Sequence, residues 1–179
     1  SWRRAMNLNT WLLENGYITL MNPRRRAGIP YFGNVNWART QAYALGLNGI
    51  YINMRGREAN GSVPQQDRDR LIAEISNGLL SFIDPATGQP AVTKMYPRDE
   101  VFSDYGYLEI GPDLIVGFAK GTRSSNESAL GEFTDEIIFD NNKPWSGDHL
   151  MDHEAVPGVL FTSRPLSREV TTLQNLAAA

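Results

Sequence analysis

The sequence predicts an α/β fold built on a mixed, mostly parallel sheet. Three observations carry that expectation. Strand-like runs are interspersed with helical ones along the chain. Two of those runs, Leu114 to Ala119 and Val159 to Thr162, are continuously apolar, the pattern of strands buried on both faces. The hydrophobic fraction is 41% over 179 residues, enough for one domain of ordinary size or a large piece of a bigger one.

Asn7 to Asn15 reads as a short helix, because Leu8, Trp11 and Leu12 fall at i, i+3 and i+4 and Gly16 suits the position just past a helix end. Tyr17 to Met21 reads as extended, and Asn22 to Asn36 as a loop rich in Arg, Gly and Pro. Ala42 to Leu45 and Ile50 to Met54 read as strands, with Asn48-Gly49 as the turn between them. Pro64 suits the first turn of a long helix running to about Phe82, whose apolar face carries Leu71, Ile72, Ile75, Leu79 and Phe82. Asn77-Gly78 weakens that helix near its end. Asp84 to Gly88 is a turn, and Ala91 to Tyr96 a strand. Gly121 to Gly131, polar and rich in Ser and Asn, reads as a mobile loop.

Composition removes several function classes. The formal charge is −3, so a broad basic surface for nucleic acid is not expected. The basic run Arg24-Arg25-Arg26 lies in a loop and reads as solvated rather than as an anion site. There are no cysteines. That excludes disulfides and thiolate zinc sites, and it fits a reducing compartment such as the cytoplasm. No apolar stretch approaches the roughly 20 residues that span a bilayer, and no signal peptide is visible.

Both histidines, His149 and His153, sit in Asp148-His149-Leu150-Met151-Asp152-His153. Imidazole and carboxylate are ligands for zinc and similar divalent metals. The spacing leaves His149 open between a metal ligand and a titrating surface histidine, and the same holds for His153. Asp148 could ligate, orient His149, or serve only as a turn carboxylate. Asp152 could do likewise or cap a short helix at Glu154-Ala155. Arg55 and Arg57, after the strand at Ile50, could hold a phosphate or carboxylate, against a structural salt bridge to Glu58 or elsewhere. Gly121-Thr122-Arg123-Ser124-Ser125 lacks P-loop spacing, and no nucleophile elbow or hydrolase triad is evident.

Taken together, several segments resemble the type I phosphodiesterase/nucleotide pyrophosphatase family of the alkaline phosphatase superfamily. They are Asn7 to Tyr17, Asn36 to Asn53, Gly56-Arg57-Glu58, Pro112-Asp113-Leu114, Trp145-Ser146-Gly147-Asp148-His149 and Val156-Pro157-Gly158-Val159-Leu160-Phe161. The resemblance runs from the first residues to about Arg164. It implies an alkaline-phosphatase-like three-layer sandwich with two metal ions at strand ends, probed first as zinc. In that family three aspartates and three histidines hold the metals. His149 matches the last histidine ligand and Asp148 a residue that accompanies it, whereas His153 stands where related sequences more often carry proline.

The family's Asp-His-Gly segment, its Thr or Ser nucleophile and its other ligands lie before the stretch that Ser1-Trp2-Arg3-Arg4 resembles. Residues 1–179 therefore read as the C-terminal portion of one such hydrolase domain, with no catalytic residue of its own. One histidine cannot hold a catalytic zinc, which takes about three protein ligands. The parent is expected to cleave phosphodiester or pyrophosphate bonds of nucleotide-type small molecules. The chain alone is expected to be inactive, and to self-associate through an unpaired sheet edge unless the N-terminal portion completes it. Two alternatives stay open: a stand-alone, non-catalytic binding or assembly module, and a phosphomonoesterase or phosphomutase of the same superfamily.

Overall fold

Among the described residues, seven strands form two sheets. They are β1 (Arg4–Met6), β2 (Ala42–Leu45), β3 (Gly49–Ile52), β4 (Val92–Pro97), β5 (Leu114–Phe118), β6 (Thr122–Ser124) and β7 (Ile138–Asp140). The computed structural model describes residues 1–102, 106, 108–148, 150–156 and 158–165. One sheet has the order β6-β1-β7, the other β2-β3-β5-β4. The mixed α/β class is met. The expectation of a mostly parallel sheet is not: among the described strands only β1 with β6 pairs parallel, Ala5 lying opposite Arg123. The other pairings are antiparallel; of these, β2 and β3 are joined by a short turn, as a hairpin requires.

Helix α1 (Leu8–Glu14) starts where expected. The Asn7 side chain accepts from the Thr10 N–H at 3.0 Å, and Gly16 adopts φ +81° just past the end. Leu8, Trp11 and Leu12 enter the core. Asn9 faces β2, the edge strand of the larger sheet. Its amide donates to the Ala44 carbonyl (2.8 Å) and its Oδ1 accepts from the Ala44 N–H (2.8 Å). One side chain thus stands in for a strand residue and covers part of that edge.

Helix α2 (Arg68–Leu80) buries Leu71, Ile72, Ile75 and Leu79. Pro64 precedes a short 3-10 turn, Gln65–Asp67, that leads into it. Gly78 has a packing reason: a Cβ there would lie 2.8 Å from the Trp11 ring, so glycine lets α1 and α2 approach. The β2–β3 turn falls at Gly46 to Asn48, with Gly46 at φ +73°, and Gly49 already belongs to β3. Helices α3 (Arg98–Val101) and α4 (Asn126–Ala129) are single turns. Leu12, Ile50, Ile52, Ile75, Leu79, Leu114 and Phe118 form the centre of the core. Each such side chain contributes roughly 1.5–3 kcal/mol relative to exposure.

Two further expectations fail. Gly121 to Gly131 is not a loose loop: it contains β6 and α4, and Thr122, Arg123, Ser124, Ser125 and Ser128 are buried. Its polar groups are satisfied internally. Ser125 Oγ accepts from the Ser128 N–H at 3.0 Å, and Ser128 Oγ accepts from the Leu8 N–H at 3.1 Å. Val159 to Thr162 is not a buried strand: Val159 is 83% exposed and Phe161 89%. Strand β5 is already flanked by β3 and β4, so the larger sheet has no interior place for it.

Candidate functional site

The structure frames Asp148 from two sides. Arg123, on β6, donates from Nη1 to Asp148 Oδ2 at 2.9 Å, and the Leu150 N–H donates to Oδ1 at 3.0 Å. The second bond spans residue 149 and closes a side-chain-to-backbone turn. Arg123 is itself held: Nε donates to the Ser124 carbonyl at 3.0 Å, Nη2 donates to Asn126 Oδ1, and the guanidinium lies 4.4 Å from the Trp2 ring centroid. The Trp2 N–H donates to the Ser146 carbonyl at 2.8 Å, tying the segment ahead of β1 to the loop that carries Asp148. The Asp148 side chain is only 3% exposed.

His149 lies outside the described residues. Both Asp148 carboxylate oxygens accept from protein donors, one from Arg123 and one from the Leu150 N–H. Among the described residues, no three His, Cys, Asp or Glu side chains are grouped to hold a metal. Asp148 by itself is fewer than the roughly three protein ligands that a zinc site takes.

His153 and Asp152 form a separate cluster on β4 and β5. Met151 bridges to Phe118, and the Asp152 N–H donates to the Phe118 carbonyl at 2.9 Å. Asp152 Oδ1 accepts from the Glu154 N–H at 2.8 Å, capping a 3-10 turn, His153–Ala155. The Tyr96 hydroxyl donates to Asp152 Oδ2 at 2.8 Å and lies 3.2 Å from His153 Nδ1. Burial, and then the bond to Asp152, push the Tyr96 phenol up. Gly117 makes room, since a Cβ there would lie 2.3 Å from Asp152 Oδ2. The His153 side chain is 75% exposed. Of the readings open for Asp152, the cap is what the geometry displays.

Of the two arginines after β3, Arg57 takes a structural role. Arg57 donates to Asp113 Oδ2 (2.8 Å), Glu58 Oε1 (2.8 Å) and the Ile52 carbonyl (2.5 Å). Asp113, fully buried, also accepts from Arg68 Nε (2.9 Å) and the Ile52 N–H (2.8 Å). Burial works against the Arg57 and Arg68 cations, but the bonds to Asp113 outweigh it and both pKa values are raised. Arg55 is exposed. In the basic run, Arg24 and Arg25 are exposed, and Arg26 pairs with Glu14 at 2.6 Å. Sequence reasoning missed Arg123 and Trp2, whose partners lie far away in the chain. Its one usable signal was a lone arginine among short polar residues in a stretch taken for a loop.

No family model, curated protein or solved structure matches the chain. Among the described residues, no helix is long and apolar enough to cross a membrane.

Proposed function

We propose that this chain is the C-terminal part of an alkaline-phosphatase-like hydrolase of the type I phosphodiesterase/nucleotide pyrophosphatase kind. The complete protein would cleave phosphodiester or pyrophosphate bonds of nucleotide-type small molecules with two divalent metal ions, zinc the first to test. In this reading His149 is this chain's ligand and Asp148 its orienting neighbour. The metals would supply electrostatic stabilisation to the phosphoryl group. This chain's residues contribute placement, with Arg123 holding Asp148 and Trp2 covering Arg123. The observation that carries the reading is the bracing of Asp148: ligating imidazoles are commonly oriented by a fixed carboxylate, and Asp148, which precedes His149 in sequence, is fixed by Arg123 and the Leu150 N–H.

Support also comes from the exposed run Val159-Leu160-Phe161, with Trp145 exposed nearby in sequence. Apolar surface of this kind marks a contact with another protein part. The test compares the chain alone with the chain joined to its upstream sequence, measuring zinc-dependent hydrolysis of an aryl phosphodiester. Turnover only in the joined protein, abolished by His149→Ala, is expected. Full turnover by the His149→Ala protein would overturn the assignment.

The alternative of a stand-alone, non-catalytic module has one observation in its favour. The core around Leu12, Ile50, Leu114 and Phe118 is closed by this chain's own residues. It predicts cooperative unfolding of the isolated chain and no turnover in either form. A phosphomonoesterase or phosphomutase would differ in its upstream substrate-selecting residues, and a panel of monoester and diester substrates separates these.

A further inference from the structure

We propose that the recess walled by Phe32, Trp37 and Tyr43 is a binding site for a flat, uncharged aromatic ring. Its volume is about 510 Å³, inside the roughly 300–1,000 Å³ range of small-molecule sites. Tyr31, Leu45 and Leu130 add to its largely apolar lining, whose polar members are Asn53, Glu58 and Asn60. The proposal does not rest on the hydrolase reading.

Ring geometry argues for an aromatic guest. Phe32 and Trp37 meet edge to face at 5.3 Å between centroids, Trp37 and Tyr43 at 5.1 Å, and Phe32 and Tyr43 at 5.8 Å. Tyr43 is backed by Tyr51, stacked at 5.2 Å. Such a cluster offers both electron-rich faces and electron-poor edges, the two surfaces to which another ring adds favourably.

Charge argues for a neutral guest. Glu58 is the charged residue among the described lining, and its carboxylate is already engaged. Oε1 accepts from Arg57 Nε at 2.8 Å and from the Tyr43 hydroxyl at 3.3 Å, and Oε2 accepts from the Met54 N–H at 2.7 Å. With Arg57 matching that charge, neither a cation nor an anion would recover its hydration here.

Backbone conformation argues that the recess is more than a packing defect. Tyr31 and Phe32 both have φ +56°, a left-handed conformation uncommon for bulky residues. It is held by the Tyr31 N–H donating to the Leu130 carbonyl (2.9 Å) and the Phe32 N–H donating to the Gly131 carbonyl (3.0 Å). Gly131 allows the close approach, since a Cβ there would lie 2.5 Å from the Phe32 ring. The outcome leaves the Tyr31 ring 75% exposed at the rim. Phe32 packs against the core, but core packing does not account for holding the exposed Tyr31 in this conformation, whereas strain of this sort gathers at ligand clamps.

The test titrates indole into the full chain and follows side-chain NMR resonances of Phe32, Trp37 and Tyr43. Saturable one-to-one shifts at those rings are expected. Ala59→Trp and Leu130→Trp, both at exposed lining positions, should each weaken binding by about tenfold or more. Tryptamine and indole-3-acetate, charged relatives read on the unaltered chain, should also bind at least about tenfold more weakly. Absence of saturable shifts overturns the proposal, as does indole binding that both tryptophan variants leave intact. Equal or tighter binding of either charged relative overturns its neutral character.

Discussion

Asp113 and Asp148 are both arginine-paired carboxylates with buried side chains, and the contrast between them separates a structural group from a candidate functional one. Asp113 sits ahead of β5, and two arginines and a backbone N–H reach it across the larger sheet. Asp148 sits on a loop, with one arginine beneath it and a backbone N–H closing a turn across residue 149. Around the first, core residues close on every element. Beyond the second, the chain runs into exposed Val159 and Phe161. Identical chemistry therefore serves to lock a core in one place and to brace a loop in the other.

Breaking each pair tests that contrast. The largest effect is expected for Asp113→Ala, which leaves Arg57 and Arg68 without their shared counter-ion. A loss near about 5 kcal/mol in urea unfolding is expected, the upper end for broken buried pairs. A loss under about 1 kcal/mol would dissolve the distinction. Arg123→Ala should cost less, about 3 kcal/mol, because a single pair is lost. In the joined protein it should also weaken zinc affinity by about 10–100-fold, the scale for outer-sphere partners. Unchanged zinc affinity would reduce Asp148 to a turn residue.

A third carboxylate sharpens the comparison by pH. Asp84 is buried and paired with Arg4 at 2.7 Å. Burial alone would raise its pKa, but the Arg4 guanidinium and the Ala86 N–H outweigh it, so the folded-state value is lowered. A depressed carboxylate stabilises the fold above its unfolded pKa of about 3.9, and that contribution disappears as pH falls through the lower folded value. Asp84→Asn should therefore be less stable at pH 7 by about 1.5–3 kcal/mol, with the gap closing in acid. A gap that stays constant down to pH 2 contradicts the pairing.

Smaller effects probe packing. Gly78→Ala gains about 1 kcal/mol of helix propensity but crowds Trp11, a cost of about 1–3 kcal/mol. A net loss near about 1 kcal/mol is expected by thermal denaturation, and a net gain would mean that the Trp11 ring moves aside. Phe161→Ser, at a position 89% exposed, should shift unfolding by no more than about 0.5 kcal/mol. It should nonetheless reduce self-association in sedimentation. A large stability loss there would mean that Phe161 is packed in solution.

Local signals were the legible part of the chain. The α1 face, the apolar face of α2 and the β2–β3 hairpin all rest on residues a few positions apart. Asp113 was not legible as a hub, because its arginine partners lie 56 and 45 positions away. Ser125 and Ser128 made a buried segment look like a loop, since composition does not reveal that their hydroxyls are satisfied inside. Val159 to Phe161 failed in the opposite sense: an apolar run states a need for cover without naming what supplies it. At the candidate site, the Asp-His pairs announced themselves, while the Arg123 and Trp2 bracing depended on β1 lying beside β6.

The placing of β1 also constrains how the molecule can be made. Arg4 pairs with Thr122 on one side and Asp140 on the other. During synthesis β1 cannot pair with β6 or β7 until well over a hundred further residues have emerged, although α1 just behind it can already coil. Such pairing has high contact order, and its loop-closure cost delays it relative to local structure. The smaller sheet should be the late step of assembly, leaving β1 a substrate for holdase chaperones while the hairpin of the larger sheet takes shape.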